Sequence, residues 1–204
     1  MFFDLRKIRK IENIVNQSAL ELLYQNAINA PKEVATVGKI INGKYTTEYN
    51  KWCTAEFVDY KKFETELQNA IKLIVPKIEK FYNVKCLNDP EIHFLSYQSG
   101  SNYESHIDGQ YIEGNIAKRG TDRDITAVLY LNDDYQGGEI FFDFFNLKIK
   151  PNKNDLLMYP TTFEYKHSVN KVIGQRYAIV VWFTTDPKIN VDIVIPDEIL
   201  QYLR

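Results

Sequence analysis

Two of the three histidines in this 204-residue chain lie in patterns that suit a metal ion. His106 and Asp108 are two residues apart in the segment YESHIDG. Residues two apart in an extended segment point to the same face, so an imidazole nitrogen and a carboxylate oxygen can bind one ion together. Such a pair also arises often by chance, and a metal site therefore needs a further ligand.

His167, in the strand-like segment YKHSV, supplies that ligand. Two histidines and one carboxylate on one face of a metal leave the other coordination positions open, an arrangement suited to non-haem Fe(II) oxygenases. A structural zinc site would instead be closed by four protein ligands, usually with cysteines among them. His106, Asp108 and His167 together predict an open iron(II) centre.

Arg176 follows His167 by nine residues, across a predicted turn at Gly174. A hairpin of this kind brings the guanidinium to the interior of a barrel, where an unpaired charge is very costly. A dicarboxylate such as 2-oxoglutarate would pair with it through a bidentate contact. An internal salt bridge to Glu164 or Asp143 is the alternative that the sequence leaves open.

The elements before residue 88 are mainly predicted helices. The segment Asn16-Gln17-Ser18 is predicted to cap a short helix with apolar residues Leu20, Leu22, Leu23 and Ala27. A second helix is predicted over residues 61–82, where apolar residues recur at steps of three and four. Pro76 should bend or interrupt it. Residues 51–57 are predicted to form a strand between the helices.

The segments after residue 88 are predicted strands separated by turn residues. They are 91–98, 125–131, 139–145, 147–150, 155–159, 165–169 and 176–183. So many short strands indicate an all-β sandwich or barrel. The strands ITAVLYL and YAIVVWF are apolar on both faces and need cover on both sides, which the N-terminal helices are expected to provide on the outer face.

Residues 91–184 also carry a series of motifs in a fixed order. They are Tyr97-x-x-Gly100-x-x-Tyr103-x-x-His106-x-Asp108, Arg123-Asp-Ile-Thr126-Ala-Val-Leu-Tyr130-Leu-Asn132, Gly137-Gly138-Glu139, Pro151-x-x-x-Asp155-Leu-Leu, Tyr159-Pro160, Tyr165-x-His167-x-Val169 and Gly174-x-Arg176-Tyr-Ala-Ile-Val-Val-Trp182-Phe183. The series resembles the prolyl 4-hydroxylase-like branch of the 2-oxoglutarate/Fe(II)-dependent dioxygenases, especially its short microbial and phage forms.

The resemblance implies a mainly β fold, the double-stranded β-helix, which is a jelly-roll or cupin-like barrel with the N-terminal helices packed on its major sheet. We expect one domain over residues 1–204. Residues 1–88 would be helical support, residues 89–186 the catalytic double-stranded β-helix, and residues 187–204 a C-terminal extension.

The resemblance also implies a role for each matching residue. His106, Asp108 and His167 match the metal triad and, with Arg176, the catalytic set. Arg176 matches the residue that binds the distal carboxylate of 2-oxoglutarate. Cofactor-binding residues beside it are Tyr130, Tyr97 and Thr126, the last on the strand face of Tyr130. Positions that face the prime substrate are Tyr103, Arg123 and Trp182. Two residues depart from the pattern, Asn154 for a usual glycine and Thr184 where some prolyl hydroxylases carry a histidine.

The expected activity is hydroxylation of a prolyl residue in a peptide or protein. Fe(II) is the expected metal, 2-oxoglutarate and O2 are the co-substrates, and ascorbate is a candidate reductant. Succinate and CO2 are the expected co-products. A hydroxylase of a free amino acid or another small molecule is the enzymatic alternative, and a non-catalytic cupin-like binding module is the alternative outside enzymes.

Composition bears on partners and location. The formal net charge of −2 indicates no polyanionic partner. The related nucleic-acid demethylases carry a second arginine six residues after the first, where this chain has Trp182. No apolar run is long enough for a signal peptide or a membrane span, and the two cysteines make no disulfide framework. We therefore predict a cytoplasmic protein that binds neither nucleic acid nor membrane; the oligomeric state is open.

Two further segments have more than one interpretation. His93 is expected to be a structural or surface histidine rather than a catalytic one. Residues 110–122 form a polar segment, which is predicted to be either a mobile lid over the site or a solvated loop.

Overall fold

The computed structural model describes residues 4–41, 44–49, 53–200 and 202–203 of the chain. Numbered in chain order, the strands are β1 (Arg9–Ile11), β2 (Lys32–Val34), β3 (Thr36–Ile41), β4 (Lys44–Tyr49), β5 (Glu56–Val58), β6 (Lys85–Tyr97), β7 (Tyr103–His106), β8 (Gln110–Glu113), β9 (Ile116–Arg119), β10 (Ile125–Tyr130), β11 (Gln136–Gly137), β12 (Ile140–Phe142), β13 (Leu147–Ile149), β14 (Leu156–Pro160), β15 (His167–Val169), β16 (Val172–Ile173), β17 (Arg176–Asp186) and β18 (Ile193–Val194). The helices are α1 (Gln17–Asn29), α2 (Glu64–Tyr82) and α3 (Asp197–Leu200), with 3₁₀ turns at Leu5–Lys7, Lys61–Phe63, Asp143–Phe145 and Phe163–Tyr165.

Two antiparallel sheets form the core. The major sheet has the strand order β1-β14-β10-β17-β6-β5-β2, and the minor sheet has the order β13-β12-β15-β7. The sheets face each other, since Val128 and Tyr130 of the major sheet pack with Ile140 and Phe142 of the minor sheet. This is the double-stranded β-helix that the sequence predicts, and the predicted fold class is confirmed.

The central strand β10 is buried at all of its positions because each face has its own cover. Ile125 and Leu129 pack into the largest apolar cluster, which includes the buried residues of α1 and α2. Val128 and Tyr130, on the opposite face, point toward the minor sheet. β17 alternates in the same way, which confirms the prediction that the N-terminal helices cover the outer face of the major sheet.

Both long helices are positioned by local sequence. Within the predicted capping segment Asn16-Gln17-Ser18, Asn16 caps α1 by accepting a hydrogen bond from the amide of Ala19 at 2.8 Å. Pro76 was expected to bend or interrupt the second helix, and it does not interrupt α2, which ends at Asn83 in a left-handed conformation. Leu67, with the other buried residues of α2, forms the predicted apolar stripe. Within the part of the chain that the structure describes, no helix is both long and apolar enough to cross a membrane.

The N-terminal region contributes strands as well as helices, which the sequence did not indicate fully. β1 pairs with β14 at one edge of the major sheet, and β2 and β5 extend the other edge from β6. The predicted strand over 51–57 overlaps β5 (Glu56–Val58) by two residues, while residues 53–55 form no strand and Lys51 and Trp52 lie outside the described residues. The region before residue 88 therefore contributes β1, β2 and β5 to the major sheet in addition to its helices.

The polar segment 110–122 contains a hairpin that the sequence did not predict, and Gln110, Tyr111, Gly120 and Thr121 line the cavity described below, so a lid over the site stays a prediction. β8 pairs with β9, and β9 pairs with β18 from the C-terminal extension. Asp124 connects the hairpin to the C-terminal extension through hydrogen bonds. Its Oδ1 accepts from the amides of Ile189 and Asn190 at 3.0 and 2.7 Å and from Arg119 Nη1 at 2.8 Å. The amide of Thr185 donates to Asp124 Oδ2 at 2.9 Å.

Candidate active site

Three predicted metal ligands meet on the minor sheet. His106 ends β7 and His167 begins β15, and the two residues are direct register partners. His106 Nε2 lies 3.3 Å from Asp108 Oδ1, and His167 Nε2 lies 4.0 Å from Asp108 Oδ2. One ligand atom from each residue lies within 4.8 Å of those of the other two, which is a spacing that one metal ion can bridge. The three residues are called the triad below.

Hydrogen bonds hold each triad residue in the form that a metal requires. Nδ1 of His106 lies 2.8 Å from the carbonyl oxygen of Glu104, and Nδ1 of His167 lies 2.9 Å from that of Tyr165. A carbonyl oxygen can only accept, so each Nδ1 carries the proton and each Nε2 keeps a lone pair for the metal. Thr126 Oγ1 donates to Asp108 Oδ2 at 2.6 Å and orients the carboxylate.

Burial and charge set suitable protonation states. Burial lowers the pKa of His167 to about 4, so its imidazole is neutral at pH 7. Burial alone would raise the pKa of Asp108, but the nearby His167 and His106 and the hydrogen bond from Thr126 outweigh it and hold that pKa well below its usual range. Neutral imidazole and ionised carboxylate are the states in which these side chains bind metal.

The triad opens into a cavity of about 570 Å³ between the two sheets. Arg176 is buried at its wall, with its guanidinium carbon 4.5 Å from the ring centre of Tyr97 and 5.0 Å from that of Tyr130. Among the described residues, Nε and Nη1 of Arg176 and the hydroxyls of Tyr130 and Tyr135 are buried without a hydrogen-bond partner. A cluster of unpaired buried donors around one positive charge is a site built for a carboxylate.

The salt bridge considered for Arg176 is not what the structure shows. Asp143 is paired instead with Lys166, at 3.7 Å, and accepts from Ser105. Glu164 has a buried carboxylate oxygen that no hydrogen bond reaches within the described part of the chain. Arg176 therefore keeps its charge available for a ligand.

Four neighbouring residues line one part of the cavity, and together with Glu91, which pairs with Arg123, they are called the cavity rim: Phe57, His93, Arg123 and Trp182. The guanidinium carbon of Arg123 lies 3.8 Å from the centre of the Trp182 ring. The ring of His93 packs edge-on against Trp182 and tilted against Phe57, both at 4.7 Å between ring centres. Burial lowers the pKa of His93 to about 4, so this histidine belongs to an uncharged aromatic wall.

Arg123 has fewer free hydrogen-bond donors for a substrate than the sequence suggests. Its Nε donates to Glu91 Oε2 at 2.8 Å, its Nη2 donates to Glu91 Oε1, and its Nη1 donates to the carbonyl of Asp108 at 3.3 Å. Two of the five guanidinium N–H groups are left for a substrate. Tyr103, the other predicted substrate residue, stacks on His106 with 3.9 Å between ring centres and lines the same cavity.

The structure brings the predicted site residues together and adds others. Thr126 lies against Asp108, so the contact that we measure is with the triad rather than with Arg176. Tyr159 lines the cavity, and Tyr135 has a buried hydroxyl near Arg176. Tyr159 belongs to the Tyr159-Pro160 motif, but neither tyrosine was given a role, because the sequence does not show where a tyrosine hydroxyl points. Glu91 was also missed, because it pairs with Arg123 across 32 residues of sequence.

A jelly-roll core that gathers two histidines, one carboxylate and a buried arginine in one cavity is typical of non-haem iron oxygenases with an acidic co-substrate. Residues 92–184 match the model of the 2OG-Fe(II) oxygenase superfamily. These residues therefore form a 2OG-Fe(II) oxygenase domain, and the resemblance inferred from the sequence motifs is confirmed. The family takes Fe(II) and 2-oxoglutarate, which agrees with the triad and with the buried donors of Arg176 that no described residue satisfies.

Individual relatives are prolyl hydroxylases. Prolyl 3-hydroxylase 2 of Rattus norvegicus is 41% identical over 73 residues, which cover 33% of this chain and 10% of that protein. The chain thus matches about a tenth of the length of this relative. A prolyl hydroxylase of Trichoplax adhaerens, solved with a hypoxia inducible factor peptide fragment, has a TM-score of 0.62 at 17% identity and covers 91% of this chain and 86% of its own. A Pseudomonas putida prolyl-4-hydroxylase has a TM-score of 0.60 at 17% identity, covering 87% of this chain and 92% of its own.

Proposed function

We propose that this chain is an Fe(II)- and 2-oxoglutarate-dependent dioxygenase that hydroxylates a prolyl residue in a peptide or protein. The observation that carries the proposal is the cavity, which holds both the triad and a buried Arg176 whose Nε and Nη1 have no hydrogen-bond partner in the described part of the chain. A metal site alone would be compatible with many cupin-like proteins. A metal site that shares its cavity with a buried guanidinium, two of whose nitrogen atoms have no hydrogen-bond partner among the described residues, also favours an acidic small-molecule ligand.

The chain's own residues bind, orient and exclude water. His106, Asp108 and His167 would hold the metal, and Arg176 with Tyr130 would hold the distal carboxylate of 2-oxoglutarate. When bound, iron and 2-oxoglutarate supply the oxidising chemistry that places one oxygen atom of O2 in a C–H bond of the substrate, while 2-oxoglutarate becomes succinate and CO2. The two sheets keep most of the cavity wall apolar, which protects that chemistry from water.

The prolyl assignment is supported by the cavity rim and by the relatives. Aromatic faces such as Trp182 pack well on a pyrrolidine ring, and the two remaining N–H groups of Arg123 suit a peptide carbonyl. The relatives include proteins named as 3-hydroxylases and as 4-hydroxylases, so we propose prolyl hydroxylation without choosing the ring carbon. The predicted cytoplasmic location stays a proposal, supported by Cys53 and Cys86, both free thiols within the described residues.

The test is incubation of the purified chain with Fe(II), 2-oxoglutarate, ascorbate and a library of proline-containing peptides, followed by mass spectrometry. We expect succinate release that depends on peptide and a gain of one oxygen atom on a proline, with His167→Ala inactive. Fragment spectra against 3- and 4-hydroxyproline standards identify the carbon. Stimulation by free amino acids alone would replace the prolyl assignment by the small-molecule alternative. Absence of any succinate release from a chain that binds metal and 2-oxoglutarate would favour a binding module.

A further inference from the structure

Tyr159 places a hydroxyl at the triad. The residue lies on β14, is almost fully buried, and is the register partner of Thr126 on β10. Its ring packs against Phe142 and His167, with ring centres 5.0 and 4.9 Å apart, so the hydroxyl oxygen has a fixed position. That oxygen lies 3.1 Å from Nε2 of His167.

The direction of this hydrogen bond follows from the other ring nitrogen. Nδ1 of His167 donates to the carbonyl of Tyr165, so Nε2 has a lone pair and no proton. The Tyr159 hydroxyl must therefore donate to Nε2. An imidazole Nε2 has one lone pair, and this is the same lone pair that a metal ion needs.

Thr126, on the neighbouring strand β10, differs from Tyr159 in the kind of atom that accepts its hydrogen bond. It also donates a hydroxyl hydrogen bond to a triad residue, to Asp108 Oδ2 at 2.6 Å. A carboxylate has several lone pairs, so Asp108 can keep this hydrogen bond and still bind a metal. His167 cannot keep the hydrogen bond from Tyr159 when its Nε2 binds a metal.

We propose that Tyr159 is a positioning residue that competes with the metal: its hydroxyl holds His167 in the metal-free protein and lowers the affinity of the triad for metal. The proposal rests on the proposed metal site. In the metal-free state the hydrogen bond keeps the imidazole facing the cavity. Metal binding breaks it and leaves the phenol beside His167, free to donate elsewhere in the cavity.

The test is isothermal titration of the full chain with Mn(II), without 2-oxoglutarate, for wild type, Tyr159→Phe and Tyr165→Phe. Tyr165→Phe is the matched control, since its hydroxyl bonds the carbonyl of Asp4 at 2.9 Å and not a triad atom. Loss of one competing neutral hydrogen bond should make Tyr159→Phe bind Mn(II) about two- to tenfold more tightly. Tyr165→Phe should match wild type.

Thermal unfolding gives a second readout from the same variants. Tyr159→Phe should unfold below wild type in EDTA, and saturating Mn(II) should close that gap, because wild type also lacks the hydrogen bond once metal is bound. Tyr165→Phe should show the same gap in both conditions. A Tyr159→Phe gap that stays constant would overturn the proposal.

The wild-type chain alone provides a third check if Tyr159→Phe folds poorly. NMR of the metal-free protein should show a slowly exchanging Tyr159 hydroxyl proton coupled to His167 Nε2, and Zn(II) should abolish the coupling. Mn(II) affinity in Tyr159→Phe that equals or falls below wild type overturns the inference while the metal site stands. If wild type binds no Mn(II), the metal site fails and the inference fails with it.

Discussion

Arg176 is the residue on which co-substrate binding is predicted to depend. Its Nε and Nη1 are buried and, among the described residues, have no hydrogen-bond partner, so an incoming carboxylate meets a donor set that needs little rearrangement. Arg176→Met should weaken 2-oxoglutarate binding by about 30-fold to several thousand-fold, the range for truncating one partner of a buried charge pair. Arg176→Lys should be intermediate, because lysine lacks the bidentate fork.

The measurement for Arg176 is titration with 2-oxoglutarate in the presence of Mn(II), with Mn(II) affinity measured separately and expected to change little. Lys150→Met is a suitable control because it removes a nearby positive charge whose ammonium bonds the backbone carbonyls of Tyr135 and Gly137. Equal 2-oxoglutarate affinity in Arg176→Met and wild type would show that the arginine has a structural role.

Trp182 is the cavity-rim residue that best tests the substrate assignment. Arg123 also donates to the carbonyl of Asp108, so removing it disturbs a triad residue, whereas Trp182 touches Arg123 and His93. Trp182→Ala should reduce peptide-stimulated turnover by roughly 30-fold, the effect of deleting a central aromatic contact. The slow conversion of 2-oxoglutarate without peptide should change much less. A parallel fall in both rates, measured as succinate release, would count against a substrate role.

At the scale of elements, Asp124 joins the β8–β9 hairpin, the start of β10 and the C-terminal extension. Asp124→Asn removes the charge that pairs with Arg119 and should lower the free energy of unfolding by about 3–5 kcal/mol, as for a broken buried pair. Asp122→Asn is the control, because the contact of Asp122 with Arg119 is exposed and worth at most about 1 kcal/mol. Urea unfolding at pH 7 measures both.

The same aspartate gives a pH dependence. Burial alone would raise the pKa of Asp124, but Arg119 and the amides of Thr185 and Asn190 lower it below its ordinary value. A lowered folded pKa stabilises the fold above the unfolded value of about 3.9 and loses that contribution as pH falls through the folded value. The stability difference between wild type and Asp124→Asn should therefore shrink below about pH 4. A constant difference from pH 7 to pH 3 would contradict this role.

An element could be predicted from the sequence when its own residues indicate its surroundings, and not when its position depends on a partner that is distant in the chain. β10 and β17 are apolar on both faces, which indicates buried central strands without any knowledge of their neighbours. β2 and β5 are strands of three residues with distant partners, since Lys32 of β2 pairs with Val58 and Glu56 of β5 pairs with Ser96 of β6, and so short a segment shows little periodicity of its own. The β8–β9 hairpin is polar, and it was missed because its order comes from β18 and Asp124.

The same distinction applies to the residues of the site. His106, Asp108, His167 and Arg176 were predictable because their residue types and spacing carry the chemistry themselves. The hydroxyl of Tyr159 was not, because its direction depends on how the ring packs between two other aromatic rings. Residue type can indicate a ligand, but the partner of a tyrosine hydroxyl requires the packed structure.

At the scale of the whole molecule, the ligands would connect the two sheets. His106 and His167 belong to the minor sheet, and Arg176 belongs to β17 of the major sheet. The opposite face of β17 packs against the helices, so the same strand serves the core and the cavity. A metal and 2-oxoglutarate bound in one cavity should therefore stabilise the fold as a unit, and not only the loops around the site.

This linkage predicts the response of thermal unfolding to ligands under anaerobic conditions. A ligand at about 100 times its Kd stabilises the folded state by about 2.7 kcal/mol, which is roughly 5–10 °C in Tm for a chain of this size. Mn(II) should give one shift and 2-oxoglutarate a further one, measured by calorimetry. His167→Ala should lose most of the Mn(II) shift, because only one imidazole and one carboxylate would remain to bind the metal. Arg176→Met should keep the Mn(II) shift and lose the 2-oxoglutarate shift. An Mn(II) shift of wild-type size in His167→Ala would place the metal outside the triad.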